Sequence, residues 1–180
     1  MEHIFETEHL IVRKFCIGDA KRLYEYHLDA KVKQWMPNES YADVAEAEDA
    51  IRFFADCVEK EQLPYVLAVE SKKTGELIGD TGANEVDGRP GEVEIGYVIS
   101  DDYSGKGYAT ELVEAMTSFI IAKFDIKVLY GRVMHGNDAS VRVLEKNGYI
   151  FRTEEFGAED DPYGNGMLVY VRDLYEDNKT

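Results

Sequence analysis

Between Asp101 and Thr110 the chain reads DDYSGKGYAT, with Ser104, Gly105, Lys106 and Gly107 at its centre. A strand that runs into a glycine-rich turn and then a helix leaves several backbone N–H groups unpaired at the positive end of the helix dipole. Such a turn attracts an anion. Glycine lets a phosphate approach where a Cβ would block it, and Lys106 adds a cation. Two familiar phosphate motifs fail on spacing. GxxxxGK[ST] would need glycine where Ser100 stands and a hydroxyl residue where Gly107 stands; GxGxxG would need glycine at Thr110. On this stretch alone, an anion loop and an ordinary turn are equally good readings.

The elements around the loop follow from periodicity. LIVRKF, from Leu10, reads as a short strand, and Gly18-Asp19 offers a turn and an N-cap to a helix reaching roughly Ala30. Val44, Ala47, Ile51, Phe54, Ala55 and Val58 recur at helical spacing, predicting a second helix from about Asp43 to Lys60. YVLAVES and ELIGDTGANEV read as strands joined at Lys73-Thr74-Gly75, and after a turn at Asp87–Gly91 comes the alternating strand EVEIGYVIS. Ala109, Leu112, Val113, Met116 and Ile120 form a helical stripe behind the loop. A strand KVLYGRV follows, then a short helix from Asn137 to Lys146 closed by Asn147-Gly148. A terminal hairpin, YIFRTEEF and GMLVYVRDL, turns around Asp161-Pro162-Tyr163-Gly164. This order predicts a single α+β domain over residues 1–180, of α/β-sandwich type. Its largely antiparallel mixed sheet has about seven strands, is flanked by about four helices, and contains one strand–helix–strand crossover.

Composition narrows the function. The chain has 180 residues, enough for one domain with a real core, and 44% hydrophobic residues. Twenty basic residues against 36 acidic ones give a net charge of −16, which speaks against nucleic acid or an anionic membrane bound through a broad basic face. Cys16 and Cys57 lack metal-ligand spacing and read as two small core side chains, with a bridge between them as the alternative. No metal site is expected. The opening MEHIFETEHL has neither a basic nor an apolar leader region, and no long apolar run occurs, so a cytoplasmic protein is the expectation.

A second constellation lies thirty residues past Gly107: NDASVRVLEKNGY, from Asn137 to Tyr149. Together with HLIVRKF, LIGDTG, VEIGYVISDDYSGKGYATE and MLVYVRDL, it resembles the GNAT superfamily of acyl-CoA N-acyltransferases. The resemblance covers nearly the whole chain, and is strongest to the branch of ribosomal-protein N-terminal acetyltransferases and their small-molecule relatives. It implies acetyl-CoA as co-substrate, with the pantetheine arm between EVEIGYVIS and KVLYGRV. The backbones of Tyr97, Val98 and Ile99 would pair with that arm, and an amide near Val98 would polarise the thioester carbonyl. The pyrophosphate would rest on the amides of Ser104, Gly105, Lys106, Gly107, Tyr108, Ala109 and Thr110, with Asn137 contacting the pantetheine or simply capping its helix. The family's loop begins with Gln or Arg, where this chain has Asp102, a carboxylate that would repel a pyrophosphate if it faced one.

By the same resemblance Glu94 is the base that takes a proton from the attacking amine. Its alternative is a surface strand carboxylate with an ion-pair partner, as Glu92 could also be. Ser140 matches the serine proposed to donate to the departing sulfur, its alternative being service to the helix start. Many relatives carry a tyrosine where Leu144 stands; Tyr149 is the reserve. His135 is read as solvent-facing, with contact to substrate as the other reading. Trp35-Met36-Pro37 is either a core plug or part of the acceptor lining. The acids Glu154, Glu155, Glu159, Asp160 and Asp161 suggest either a cationic acceptor or a solvated loop. The implied reaction is direct attack in a ternary complex, on a cationic small amine or a peptide N-terminus, by a monomer or homodimer. The rival reading is a non-catalytic acyl-CoA-binding module on the same fold, which would be expected to lose Glu94 and Ser140. A nucleotide-binding protein is disfavoured by the two failed phosphate motifs.

Overall fold

The structure, a computed structural model, describes residues 3–157 and 166–174. The N-terminal half contains β1 (His3–Glu6), β2 (Leu10–Arg13), α1 (Ala20–His27), α2 (Ala30–Trp35), α3 (Val44–Glu59), β3 (Tyr65–Ser71) and β4 (Leu77–Glu85). Then come β5 (Glu92–Ile99), α4 (Tyr108–Lys123), β6 (Val128–Met134), α5 (Asp138–Lys146), β7 (Ile150–Glu155) and β8 (Met167–Asp173). All eight strands join one sheet in the order β1-β2-β3-β4-β5-β6-β8-β7. Every neighbouring pair is antiparallel except β5 and β6, whose parallel pairing needs the crossover through α4. The α+β prediction holds.

Two elements exceed the predicted seven strands and four helices. One is β1, which pairs with β2 at the sheet edge. The other arises because the first helix stops at His27 rather than near Ala30, and α2 restarts after Asp29. Asp29 leaves helical geometry (φ −54°, ψ 137°). Its carboxylate accepts from the Ser100 hydroxyl at 3.1 Å and the Asp101 N–H at 3.0 Å. A contact 71 residues away therefore breaks the helix and anchors the start of the glycine loop. The final turn, Asp161 to Gly164, lies outside the described residues, as do Glu159 and Asp160.

The sheet carries apolar cores on both faces. On one, Leu23 and Tyr26 of α1 and Ala47 and Ile51 of α3 pack with Ala68, Leu77 and Val98. On the other, Leu112, Val113, Met116 and Ile120 of α4 cover Val93, Ile95, Leu129 and Val133. The predicted stripes of α3 and α4 thus face opposite sides of one sheet. Asp43 caps α3, its side chain accepting from the Glu46 N–H at 2.9 Å. Cys16 and Cys57 are both free thiols. Near the start of α1, Arg13 stands between two carboxylates. It binds Asp19 through two nitrogens at 2.8 and 3.0 Å and Glu70 at 2.9 Å, with its side chain 4% exposed. Among the described residues no helix is long and apolar enough to cross a membrane.

Candidate active site

The sheet opens at one place. Parallel pairing of β5 with β6 is confined to Glu92–Val128, Val93–Leu129 and Glu94–Tyr130. Beyond that point β5 stays with β4 as far as Ile99, while β6 from Gly131 to Met134 stays with β8. Alternation decides which backbone groups line the gap. The Ser100 N–H bonds Ile78 on the β4 side, and the Gly91 carbonyl accepts from Lys127 on the β6 side. With the register unbroken, even-numbered residues of β5 turn their N–H and C=O toward β4, and Ile95, Tyr97 and Ile99 turn theirs into the opening. Val98, proposed to line the cofactor, has its own backbone groups directed at Asp80.

The glycine loop closes the wide end of this opening. Gly105 and Gly107 both have positive φ, +74° and +84°, with open space where a Cβ would lie. L-residues rarely adopt that backbone, so both glycines are required for the loop's shape. Gly107 sits at the N-cap of α4, and the first helical bond is from the Glu111 N–H to the Gly107 carbonyl at 3.2 Å. Among the described residues, the N–H groups of Gly105 through Thr110 therefore have no backbone acceptor. Ser104 differs: its N–H is bonded to the Asp101 carbonyl at 3.1 Å and its hydroxyl is reached by Lys31 at 3.1 Å. Lys106 folds back to the Asp102 carbonyl at 2.8 Å and over the Tyr103 ring. Asp102 is exposed in the single turn of 3-10 helix ahead of the loop. A hollow bordered by Gly107, Thr110, Glu111 and Lys146 continues alongside α4. A cradle of free amides shaped by two left-handed glycines, fed by an unpaired strand edge, fits a phosphorylated ligand with an extended amide-bearing arm.

Glu94 stands at the fork, the last residue of β5 to pair with β6. Arg132 on β6 donates to its Oε2 at 2.5 Å and reaches Glu155 on β7 at 2.9 Å. Burial pushes the Glu94 carboxyl above its ordinary value; Arg132 pulls it down without cancelling that effect, and the charges of Glu155 and Glu39 add to the rise. The Glu94 side chain still shows 35% exposure, so water and solutes reach it. A raised, reachable carboxylate is better suited to accepting a proton than one at its ordinary value. Glu92, by contrast, accepts from the Tyr130 hydroxyl at 2.6 Å and sits at the paired end.

Ser140 lies in the first turn of α5, where its N–H donates to the Asn137 side chain at 3.3 Å. The capping role of Asn137 is present, and Ser140 lies beside the Tyr97 hydroxyl. Tyr149 is fully engaged elsewhere, its buried hydroxyl paired with Thr117 at 2.9 Å. His135 is half-exposed and pairs with Glu154. Trp35 is half-buried with its ring near Gly136, next to His135, while Met36 packs against the α1–α3 core. Opposite faces of the sheet thus hold different chemistry. Glu94 shares its parity with Val98 and the α1–α3 face, whereas Tyr97 packs with the α4 core.

Arg132, Glu39 and the Tyr97 hydroxyl were missed from the sequence. For Arg132 a signal existed: an arginine on the strand beside a carboxylate-bearing strand. Nothing local marks Glu39, which reaches the site through the loop after α2.

With this geometry in view, similarity to known proteins is decisive. The acetyltransferase (GNAT) domain family matches residues 9–150. The chain belongs to the GNAT acetyltransferases. It is 30% identical over 171 residues to the uncharacterized N-acetyltransferase p20 of Bacillus licheniformis, covering 95% of this chain and 93% of the relative. Among solved structures, the ribosomal-protein-S5-alanine acetyltransferase of Vibrio fischeri superposes with a TM-score of 0.80 at 18% identity, covering 94% and 95% of the two chains. RimL, a ribosomal L7/L12 α-N-protein acetyltransferase solved with coenzyme A, gives 0.78 at 17% identity over 96% and 98%. At such identities these two likenesses speak to the GNAT fold.

Proposed function

We propose that this acetyltransferase moves an acetyl group from acetyl-CoA to a primary amine by direct attack in a ternary complex. The observation that carries this is the fork itself. An unpaired edge of β5 leads from Glu94 to the free amides of Gly105–Thr110, so one ligand can lie along the edge with its phosphates on the loop and its thioester beside a carboxylate. Tyr97 and Ile99 offer the arm a strand-like partner, and the loop glycines and Lys106 receive the pyrophosphate. Asp102, exposed on the turn before the loop, leaves those amides accessible. That RimL was solved with coenzyme A supports a ligand of this type.

Glu94 takes the proton that an ammonium must lose before nitrogen can attack. Glu94 passes that proton to water; the C–N bond then forms as the second N–H proton goes to Glu94, the C–S bond breaks, and the electron pair departs on sulfur, assisted by Ser140. The acceptor is a cationic amine, either a small molecule or a peptide N-terminus, because its approach is bordered by Glu94, Glu154, Glu155 and Trp35. Thermal unfolding in acetyl-CoA and in ATP tests the first half. Acetyl-CoA at about 100 times its Kd should stabilise by about 2.7 kcal/mol while ATP does not. Thiol release followed over a panel of diamines, amino acids and peptides tests the second. No release with any of them, despite tight acetyl-CoA binding, would leave a binding module instead of an enzyme.

A further inference from the structure

Three polar side-chain atoms among the described residues are buried without a hydrogen-bond partner: Ser71 Oγ, His27 Nδ1 and Tyr97 Oη. Ser71 belongs to β3, and His27 to the α1 cluster around Asp80, where its other ring nitrogen lies 3.2 Å from that carboxylate. Tyr97 alone of the three stands on the open edge of β5. Its backbone lines the gap and its ring lies on the α4 side of the sheet. The hydroxyl ends beside that of Ser140, without the alignment of a hydrogen bond. Ser140 belongs to α5, which follows β6, so its meeting with Tyr97 joins a residue of β5 to the element that leaves β6.

A buried hydroxyl left unpaired is costly, and native structures seldom keep one without a use for it. Here the missing partner has a direction of arrival, because Tyr97 stands on the unpaired edge of β5 along which an extended arm would lie. Resting on the acyl-transfer reading above, we propose that the Tyr97 hydroxyl donates a hydrogen bond to the sulfur of coenzyme A as it leaves, paired with Ser140. The base and the leaving-group donors then occupy opposite faces of β5, Glu94 on one and Tyr97 with Ser140 on the other. The base and the donors thus address one carbonyl carbon from different sides.

The role is hydrogen bonding rather than proton transfer. Burial pushes the Tyr97 hydroxyl above its ordinary 10. An alkyl thiol titrates near about 8.5, so a thiolate cannot take this proton downhill. Tyr97 keeps its proton, the electron pair of the broken C–S bond stays on sulfur, and the second N–H proton, shed as the C–N bond forms, passes to Glu94. A donor of this kind favours bound thiolate over bound thiol.

The test compares coenzyme A with desulfo-coenzyme A, in which hydrogen replaces the thiol, by calorimetry on the wild type and Tyr97→Phe. Wild type should bind coenzyme A more tightly, with the excess growing from pH 7 to about pH 9 as the free thiol ionises. Tyr97→Phe keeps the ring, so its affinity for desulfo-coenzyme A should stay within about twofold while the excess for coenzyme A falls ~10-fold. In turnover, kcat should drop ~10-fold or more with the KM for acetyl-CoA nearly unchanged. An unchanged coenzyme A excess in the variant would overturn the proposal. So would an equal loss for both ligands, which would make the ring a packing element. If wild type binds neither ligand, the acyl-transfer reading falls first; if wild type binds and turns over but Tyr97→Phe matches it, only the hydroxyl role falls.

Discussion

Arg13 and Arg132 each bridge two carboxylates, yet the two clusters treat their acids in opposite ways. Around Arg13, burial tends to raise the Asp19 carboxyl, but two guanidinium bonds and the Cys16 N–H outweigh it and hold the group below its ordinary value. Around Arg132, Glu94 receives one guanidinium nitrogen and faces Glu155 and Glu39 as well, so burial prevails and the carboxyl rises. The residue types are nearly the same. What differs is how many donors each carboxylate receives and how many like charges surround it. A saturated carboxylate ties α1 to the sheet, whereas an under-supplied one sits above its ordinary value, the direction the proposed base role calls for.

The contrast can be broken from either side. Arg13→Met leaves the buried Asp19 and the half-buried Glu70 without their cation, and should cost ~3 kcal/mol in urea unfolding with little change in the residual activity of folded protein. Glu94→Gln should retain the fold and lower kcat ~100-fold, removing the low-pH limb of kcat/KM. Arg132→Met should change stability by less than ~1 kcal/mol, since its cluster is partly solvated. Its effect appears in the pH profile. Without the guanidinium the Glu94 carboxyl rises further, so the low-pH limb moves to higher pH, whereas Glu155→Gln removes a like charge and moves it to lower pH. Equal profiles for these two variants would break the assignment of that limb to Glu94.

The smallest expected effect is on stability against pH. The folded Asp19 titrates below its ordinary 3.8, so its contribution is complete above about pH 4 and disappears as pH falls through the lower folded value. Glu94 titrates above its ordinary 4.5 when folded. Its ionised form is therefore a cost at neutral pH, relieved as pH drops through the folded value. Asp19→Asn should flatten the acid end of the stability curve. Glu94→Gln should remove a rise of ~0.5 kcal/mol or less on the acid side of neutrality, small because water screens a partly exposed group.

Local patterns made much of the molecule legible. Apolar spacing exposed α3 and α4 because each buries one continuous stripe, and the glycine loop was visible because left-handed backbone at Gly105 and Gly107 demands that residue type. The order of the five segments pointed to the family, and the family match over residues 9–150 agrees. Boundaries set by distant contacts were not legible. The break at Asp29 depends on Ser100 and Asp101, and β1 is a strand because β2 offers it an edge.

By itself, then, the sequence determined the α+β class, the glycine turn and the family, since periodicity, turn residues and motif spacing are properties of neighbouring positions. Only the tertiary structure decided where β5 and β6 part, that Glu94 and Tyr97 face opposite sides of the sheet, and that Arg132 meets Glu94 while Tyr97 ends unpaired beside Ser140. Those facts set protonation and hydrogen bonding through charges and burial contributed by residues far apart in the chain, and no local pattern encodes them.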